Sequence, residues 1–248
     1  MLNSKKAFTF AEVLATLLII GVIASMTIPS LQEDANRRTY AAGCKKAFST
    51  FSNALSLSEQ MNGPSRKWSM IDNNTAKDFD EYWRPYLNVI KTCSNTTGCF
   101  GSGEYFQYNK SKYSSLSAKG YGTPQFAFQL ADGMNVAYDV YPNYTGSSIY
   151  GVKNLEAPVI YFFVDVNGDK GPNTLGLDIF IFLRNKDGLK PAGADQPLSN
   201  IKCGRGKDGT ECAAMVIKFG DLNYDKHIQE EKTASSGNSG NSGSSSKN

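Results

Sequence analysis

The chain has 248 residues, 26 basic against 23 acidic side chains and a formal net charge of +3, which falls to +1 once Lys5 and Lys6 at its start are set aside. That near-neutral balance is no electrostatic footprint for nucleic acid, and DNA is not expected as a partner. One histidine, no G-x-S-x-G and no P-loop leave hydrolytic and phosphoryl-transfer chemistry without support, so a non-enzymatic role is expected. The first element is an apolar run from Phe8 to Ile28, interrupted by a single charge, Glu12. As a helix it reaches roughly 30 Å, the thickness of a hydrocarbon core. A carboxylate there costs on the order of 2.5–3.5 kcal/mol at mid-bilayer, so it needs a compensating role.

Pro29 follows, and Ser30-Leu-Gln-Glu33 has capping-box spacing that can restart a helix. Apolar or small residues then recur at Tyr40, Cys44, Ala47, Phe48, Phe51, Leu55 and Met61, one face of an amphipathic helix closed by Asn62-Gly63-Pro64. One long helix over 8–61 is predicted, kinked at Pro29. A shorter helix over 75–91 carries Phe79, Tyr82, Trp83, Tyr86, Leu87 and Ile90 on one face, with Pro85 breaking or kinking it. Strands follow: a hairpin over 125–140 around Asp132-Gly133, a pair over Val159–165 and Asp178–185, and a last strand over Ala213–219. The fold class is α+β, a long N-terminal helix against a mainly antiparallel sheet. Residues 233–248, rich in Gly, Ser and Asn, are expected to be disordered.

Of five cysteines, four form close pairs, Cys93 with Cys99 and Cys203 with Cys212. Their loop-forming flanks suit local disulfides, with a Cys44 cross-link to the sheet as the competing pairing. Paired cysteines and an apolar start suggest an exported domain.

A secretory signal cleaved near Ala24-Ser25 and a plain uncleaved anchor both fit part of the N-terminus, but neither gives Glu12 a purpose. The stretch Lys5-Lys6-Ala7-Phe8-Thr9-Phe10-Ala11-Glu12-Val13-Leu14 resembles the processing site of type IV prepilins and type II secretion pseudopilins. Gly21 and Pro29, fourteenth and twenty-second from Phe8, agree with it, whereas Ala7 stands where Gly is usual and Phe10-Ala11 where Leu-Ile is usual. The resemblance implies cleavage between Ala7 and Phe8, methylation of Phe8, and an assembly role for Glu12 opposite the new amino group of a neighbouring subunit. The organisation it implies is a leader over 1–7, a membrane and filament-core segment over 8–29, and an exported pilin domain over 30–232. The expected location is a bacterial cytoplasmic membrane, C-terminal domain outside, and then a periplasmic or surface filament. Lys5 and Lys6 on the cytoplasmic side agree with that orientation. Expected partners are other pilin subunits, a prepilin peptidase, the assembly machinery and, before assembly, lipid. The alternative function is a minor tip pilin that binds a surface or DNA, with Glu104–Tyr113 as its candidate contact.

One further loop carries chemistry. Asp165, Asn167 and Asp169 place oxygens at alternate positions, like the opening of a calcium loop, with Asp178 as a distant ligand. The spacing then departs, because Gly171 is seventh and no glutamate stands twelfth. The competing reading is a turn in which Asx side chains cap their own backbone. No cofactor is required, and calcium is the candidate.

Overall fold

A computed structural model describes residues 9–70, 75–94, 96, 98–101, 103–116, 126–185 and 187–237. The chain divides into two compact units, 1–39 and 40–248. Helix α1 (Phe10–Asn62) begins in the first unit. There Phe10, Leu14, Leu18, Ile20, Met26, Ile28 and Leu31 are all exposed. The segment is long and apolar enough to cross a membrane.

The helix continues through Pro29 without a restart. Ser30 does not cap a new helix. Its hydroxyl donates back to the Thr27 carbonyl at 3.0 Å, the usual habit of a mid-helix serine. The capping box lies instead at Thr9-Phe-Ala-Glu12, described below.

In the second unit α1 buries Tyr40, Ala41, Cys44, Ala47, Phe51, Ala54, Leu55 and Ser58, a stripe spaced three or four apart. Met61 is not on it and is 75% exposed. Among the described residues the sheet has six strands, all antiparallel, in the order β1 (Val89–Cys93), β2 (Phe126–Leu130), β3 (Asn135–Tyr141), β6 (Val159–Asp165), β7 (Ile179–Asn185), β8 (Gly188–Pro191). A small ribbon, β4 (Ser148–Ile149) with β5 (Val152–Lys153), sits in the β3–β6 connection. The hairpin joining β2 and β3 turns at Asp132-Gly133, where Gly133 has φ 89°.

Strand alternation sends the two sets of side chains into separate cores. Phe128, Val136, Tyr138, Ile160, Phe162, Val164, Phe180 and Phe182 pack with the α1 stripe, where Phe51 stacks on Phe162 at 4.6 Å. Ala127, Ala137, Tyr161, Phe163, Ile179, Ile181 and Leu183 face the other way, under Phe100, Tyr105, Leu116, Val152 and Leu155. Both faces are therefore covered, and β6 and β7 are buried at every position.

Three expected elements are corrected. The apolar run Ala213–219 is not a strand but helix α3 (Cys212–Phe219). Ala-Ala-Met is a strong helix-forming sequence, burial falls at 212, 213, 215 and 216, and Gly220 in the left-handed conformation closes the helix by donating to the Val216 carbonyl. The element over 75–91 is helix α2 (Thr75–Tyr82), a 3₁₀ turn over Arg84–Tyr86 and then β1. Pro85 cannot donate within a helix, and Ile90 stands 62% exposed on the edge strand instead of on the buried face. At the C-terminus helix α4 (Tyr224–Gly237) extends past Thr233, so 233–237 are helical, while 238–248 lie outside the described residues.

Candidate functional site

Two sets of residues carry the functional expectations. The first is the start of α1. Thr9 accepts the Glu12 N–H on its hydroxyl oxygen at 3.2 Å, and its own N–H and hydroxyl donate to Glu12 Oε2 at 2.8 and 2.9 Å. This reciprocal pair satisfies donors that the first helical turn leaves without partners. Glu12 thus has a local partner, Thr9, which sequence reasoning missed although Thr-x-x-Glu is the motif's own signature. Ala7 and Phe8 lie outside the described residues. Gly21 is open, with nothing near an added Cβ.

The four sulfurs pair locally, Cys93 with Cys99 and Cys203 with Cys212, and Cys44 is a buried free thiol whose ionisation burial pushes well up.

The second set is the loop between β6 and β7. Asp165 closes β6 and Asp178 precedes β7, and both are buried, at 1% and 0% exposure. Asp178 is a backbone acceptor, taking the Asn173 N–H at 2.8 Å and the Thr174 N–H at 2.6 Å. Asp165 accepts the Asn167 N–H at 3.2 Å through Oδ1, and its Oδ2 has no hydrogen-bond partner. Asn167 donates to the Gly171 carbonyl at 3.1 Å, leaving its Oδ1 without a partner; Asn173 Oδ1 is buried likewise. Desolvation, reinforced by the nearby Asp178 charge, pushes the Asp165 carboxyl up to about 9. Desolvation raises Asp178 to about 6, opposed by the N–H groups of Thr174 and Asn173.

Asp169 is exposed, its charge adds to the upward push on Asp165, and its Oδ1 accepts from Asn135 Nδ2 of β3 at 2.9 Å. The structure brings in Asn173 and Asn135, together with Tyr40 of α1, whose hydroxyl lies 3.5 Å from the Gly171 carbonyl. Asn173 sat inside the suspect loop. Asn135 is thirty residues upstream of Asp165, and only strand pairing, Asn135 opposite Asp165, identifies it.

The Asx-turn reading describes part of this loop well, since Asp178 and Asp165 both accept N–H groups. It does not explain buried oxygens without donors, which cost free energy when left unpaired. A hard cation takes several oxygens of this kind, from carboxylates and amides alike. Asp165, Asn167, Asn173 and Asp178 carry oxygens of those two kinds. Among the described residues no three His, Cys, Asp or Glu side chains form a metal-type cluster.

Comparison with family models, with curated proteins and with solved structures finds no match. The functional reading therefore stands on residues and geometry.

The Tyr-rich segment expected as a binding contact is mostly spent on packing. Tyr105 is buried, Tyr108 meets Tyr224 at 5.6 Å and Tyr113 meets Phe163 at 6.2 Å.

Proposed function

We propose that the chain is a filament subunit of the type IV pilin or pseudopilin kind, anchored in a membrane before assembly. The observation that carries this is the first half of α1. From Phe10 to Leu31 its large apolar side chains are exposed, and Glu12 is the one charge between Phe8 and Ile28. A continuous apolar surface of that extent is stable only against lipid or against other subunits. After cleavage before Phe8, the new α-amino group of a neighbour offers Glu12 an opposite charge, which sets axial register more than it adds stability. Intact-mass measurement of protein from native filaments tests the reading. A chain starting at Phe8 and carrying one methyl group is expected; a start at Met1 or near Met26 overturns it.

A second element of the proposal is a calcium-type cation held by Asp165, Asn167, Asn173 and Asp178, supported by the buried oxygens that lack donors. Bound there, the ion would supply the positive charge that two buried carboxylates otherwise lack. Its role is structural: it fixes the β6–β7 loop.

A further inference from the structure

The connection from β3 to the β4–β5 ribbon forms an open depression of about 300 Å³, lined by Tyr141, Pro142, Asn143, Tyr144, Thr145 and Gly146. That volume lies at the lower end of the range for small-molecule sites, roughly 300–1,000 Å³, and suits a ligand of one or two rings. We infer that this depression is a saccharide-binding site for an uncharged glycan, with Tyr141 as its stacking platform. The inference is independent of the filament reading.

The tyrosine rings are held in place from behind. Tyr141, the last residue of β3, keeps 41% of its surface exposed while its ring lies 5.2 Å from buried Tyr161 and 6.2 Å from Tyr144. Tyr161 donates its single hydroxyl hydrogen to Asp139 Oδ2 at 2.7 Å. Its oxygen is then the acceptor for the Tyr141 hydroxyl 3.2 Å away. The chain Asp139–Tyr161–Tyr141 fixes the outer ring and leaves the Tyr141 oxygen with lone pairs to accept with. Tyr144 spends its own hydroxyl on the Ser148 carbonyl at 2.9 Å and so serves as a wall. Asn143 and Thr145 are exposed and unspent in the hydrogen bonds described for this loop, offering an amide and a hydroxyl.

The chemistry of the lining selects among ligands. None of the six residues is Asp, Glu, Lys, Arg or His. Phosphate, and with it nucleic acid, finds no cation here. A saccharide presents what the site can use: a C–H face for the electron-rich face of Tyr141, and neighbouring hydroxyls for an acceptor oxygen, an amide and a hydroxyl. A quaternary ammonium could also use ring faces, and the test must separate the two.

The experiment is saturation-transfer difference NMR on the full chain in a polyoxyethylene detergent, which carries no sugar. The probes are methyl β-galactoside, methyl α-mannoside, methyl N-acetyl-β-glucosaminide and tetramethylammonium at millimolar concentration. Saturation is expected on the ring C–H protons of at least one glycoside. It should fall about tenfold in Tyr141→Ala and severalfold in Asn143→Ala; both positions are exposed, and Asn143→Ala decides if the tyrosine variant misfolds. Absence of transfer to all three glycosides overturns the inference. So does an undiminished signal in the folded variants, or stronger transfer to tetramethylammonium.

Discussion

Replacing Asp165 by Asn isolates the charge that the β6–β7 loop buries. Asn has nearly the same shape and can still accept the Asn167 N–H, so packing is preserved and only ionisation is removed. Burial, with the Asp178 charge beside it, pushes the Asp165 carboxyl up to about 9, against 3.8 for an ordinary Asp. A carboxyl raised in this way makes the folded state take up a proton. Its contribution is fully present below pH 3.8 and is lost progressively as pH rises toward 9. At pH 7 the accumulated cost is about 4 kcal/mol, at 1.36 kcal/mol per unit. Asp165→Asn abolishes that cost, so in the presence of chelator the variant should melt higher than the wild type at pH 7, on the order of 10 °C for a domain of this size. The gain should shrink toward zero near pH 4. Calcium should raise the wild-type melting temperature and leave the variant unchanged, because the ion and the substitution remove the same uncompensated charge. Trp68 and Trp83 are both buried, and their fluorescence reports the transition without a dye that detergent would disturb. A variant no more stable than wild type in chelator at pH 7, or a gain as large at pH 4, refutes the argument.

Three further outcomes are expected. Glu12→Ala should abolish filament assembly while leaving membrane insertion intact, whereas Thr9→Ala, which removes the cap but keeps the carboxylate, should cost about 0.5–2 kcal/mol of helix stability and still permit filaments; equal loss in both, read by electron microscopy, would reduce Glu12 to a helix cap. Arg184 is buried in β7 and donates to Ser65 Oγ at 2.7 Å and to the Pro158 carbonyl at 3.0 Å, so Arg184→Ala should cost about 3–5 kcal/mol in denaturant unfolding, and a cost below 1 kcal/mol would show that the network contributes little. Alkylation of the native, non-reduced protein should leave Cys44 unmodified until denaturant is added and then label it alone, with any labelling of Cys93, Cys99, Cys203 or Cys212 counting against the two local bonds.

The long helix, the Asp132-Gly133 hairpin and the β6–β7 pair were legible because each rests on a local signal: an uninterrupted apolar period, a turn dipeptide, an apolar run bounded by turn residues. The errors arose where the local signal is shared by two structures. Ala213–219 is short and apolar throughout, which fits a buried strand as well as a helix, and Gly220 was the deciding residue. Thr9-x-x-Glu12 and Ser30-x-x-Glu33 have the same spacing, yet only the first stands at a helix end, where N–H groups lack partners. The second core was invisible because its cover is assembled from short pieces without a sustained period, among them Phe100, Tyr105, Leu116, the two-residue strand β5 and Leu155. In the carboxylate loop, oxygen spacing along the chain singles out Asp165, Asn167 and Asp169, with Asp178 as a distant ligand. Asn135 reaches Asp169 only across paired strands, which spacing along one segment does not encode.

The disulfides close rings between cysteines only six and nine residues apart. Neither bond joins distant elements, so neither dictates which strand lies beside which; the arrangement of the sheet is left entirely to packing. Such pairs also lend themselves to order of synthesis. Each second cysteine follows its partner within a few residues; the Cys93–Cys99 ring can be finished long before the last helix is made, the Cys203–Cys212 ring only just ahead of it. Cys44 comes first of all and has no nearby mate. Its safeguard is cover rather than bonding: until the core closes over the helix, it is a thiol able to capture a wrong partner. A chain held open too long should therefore fail by mispairing at Cys44, the cysteine that the finished protein never uses.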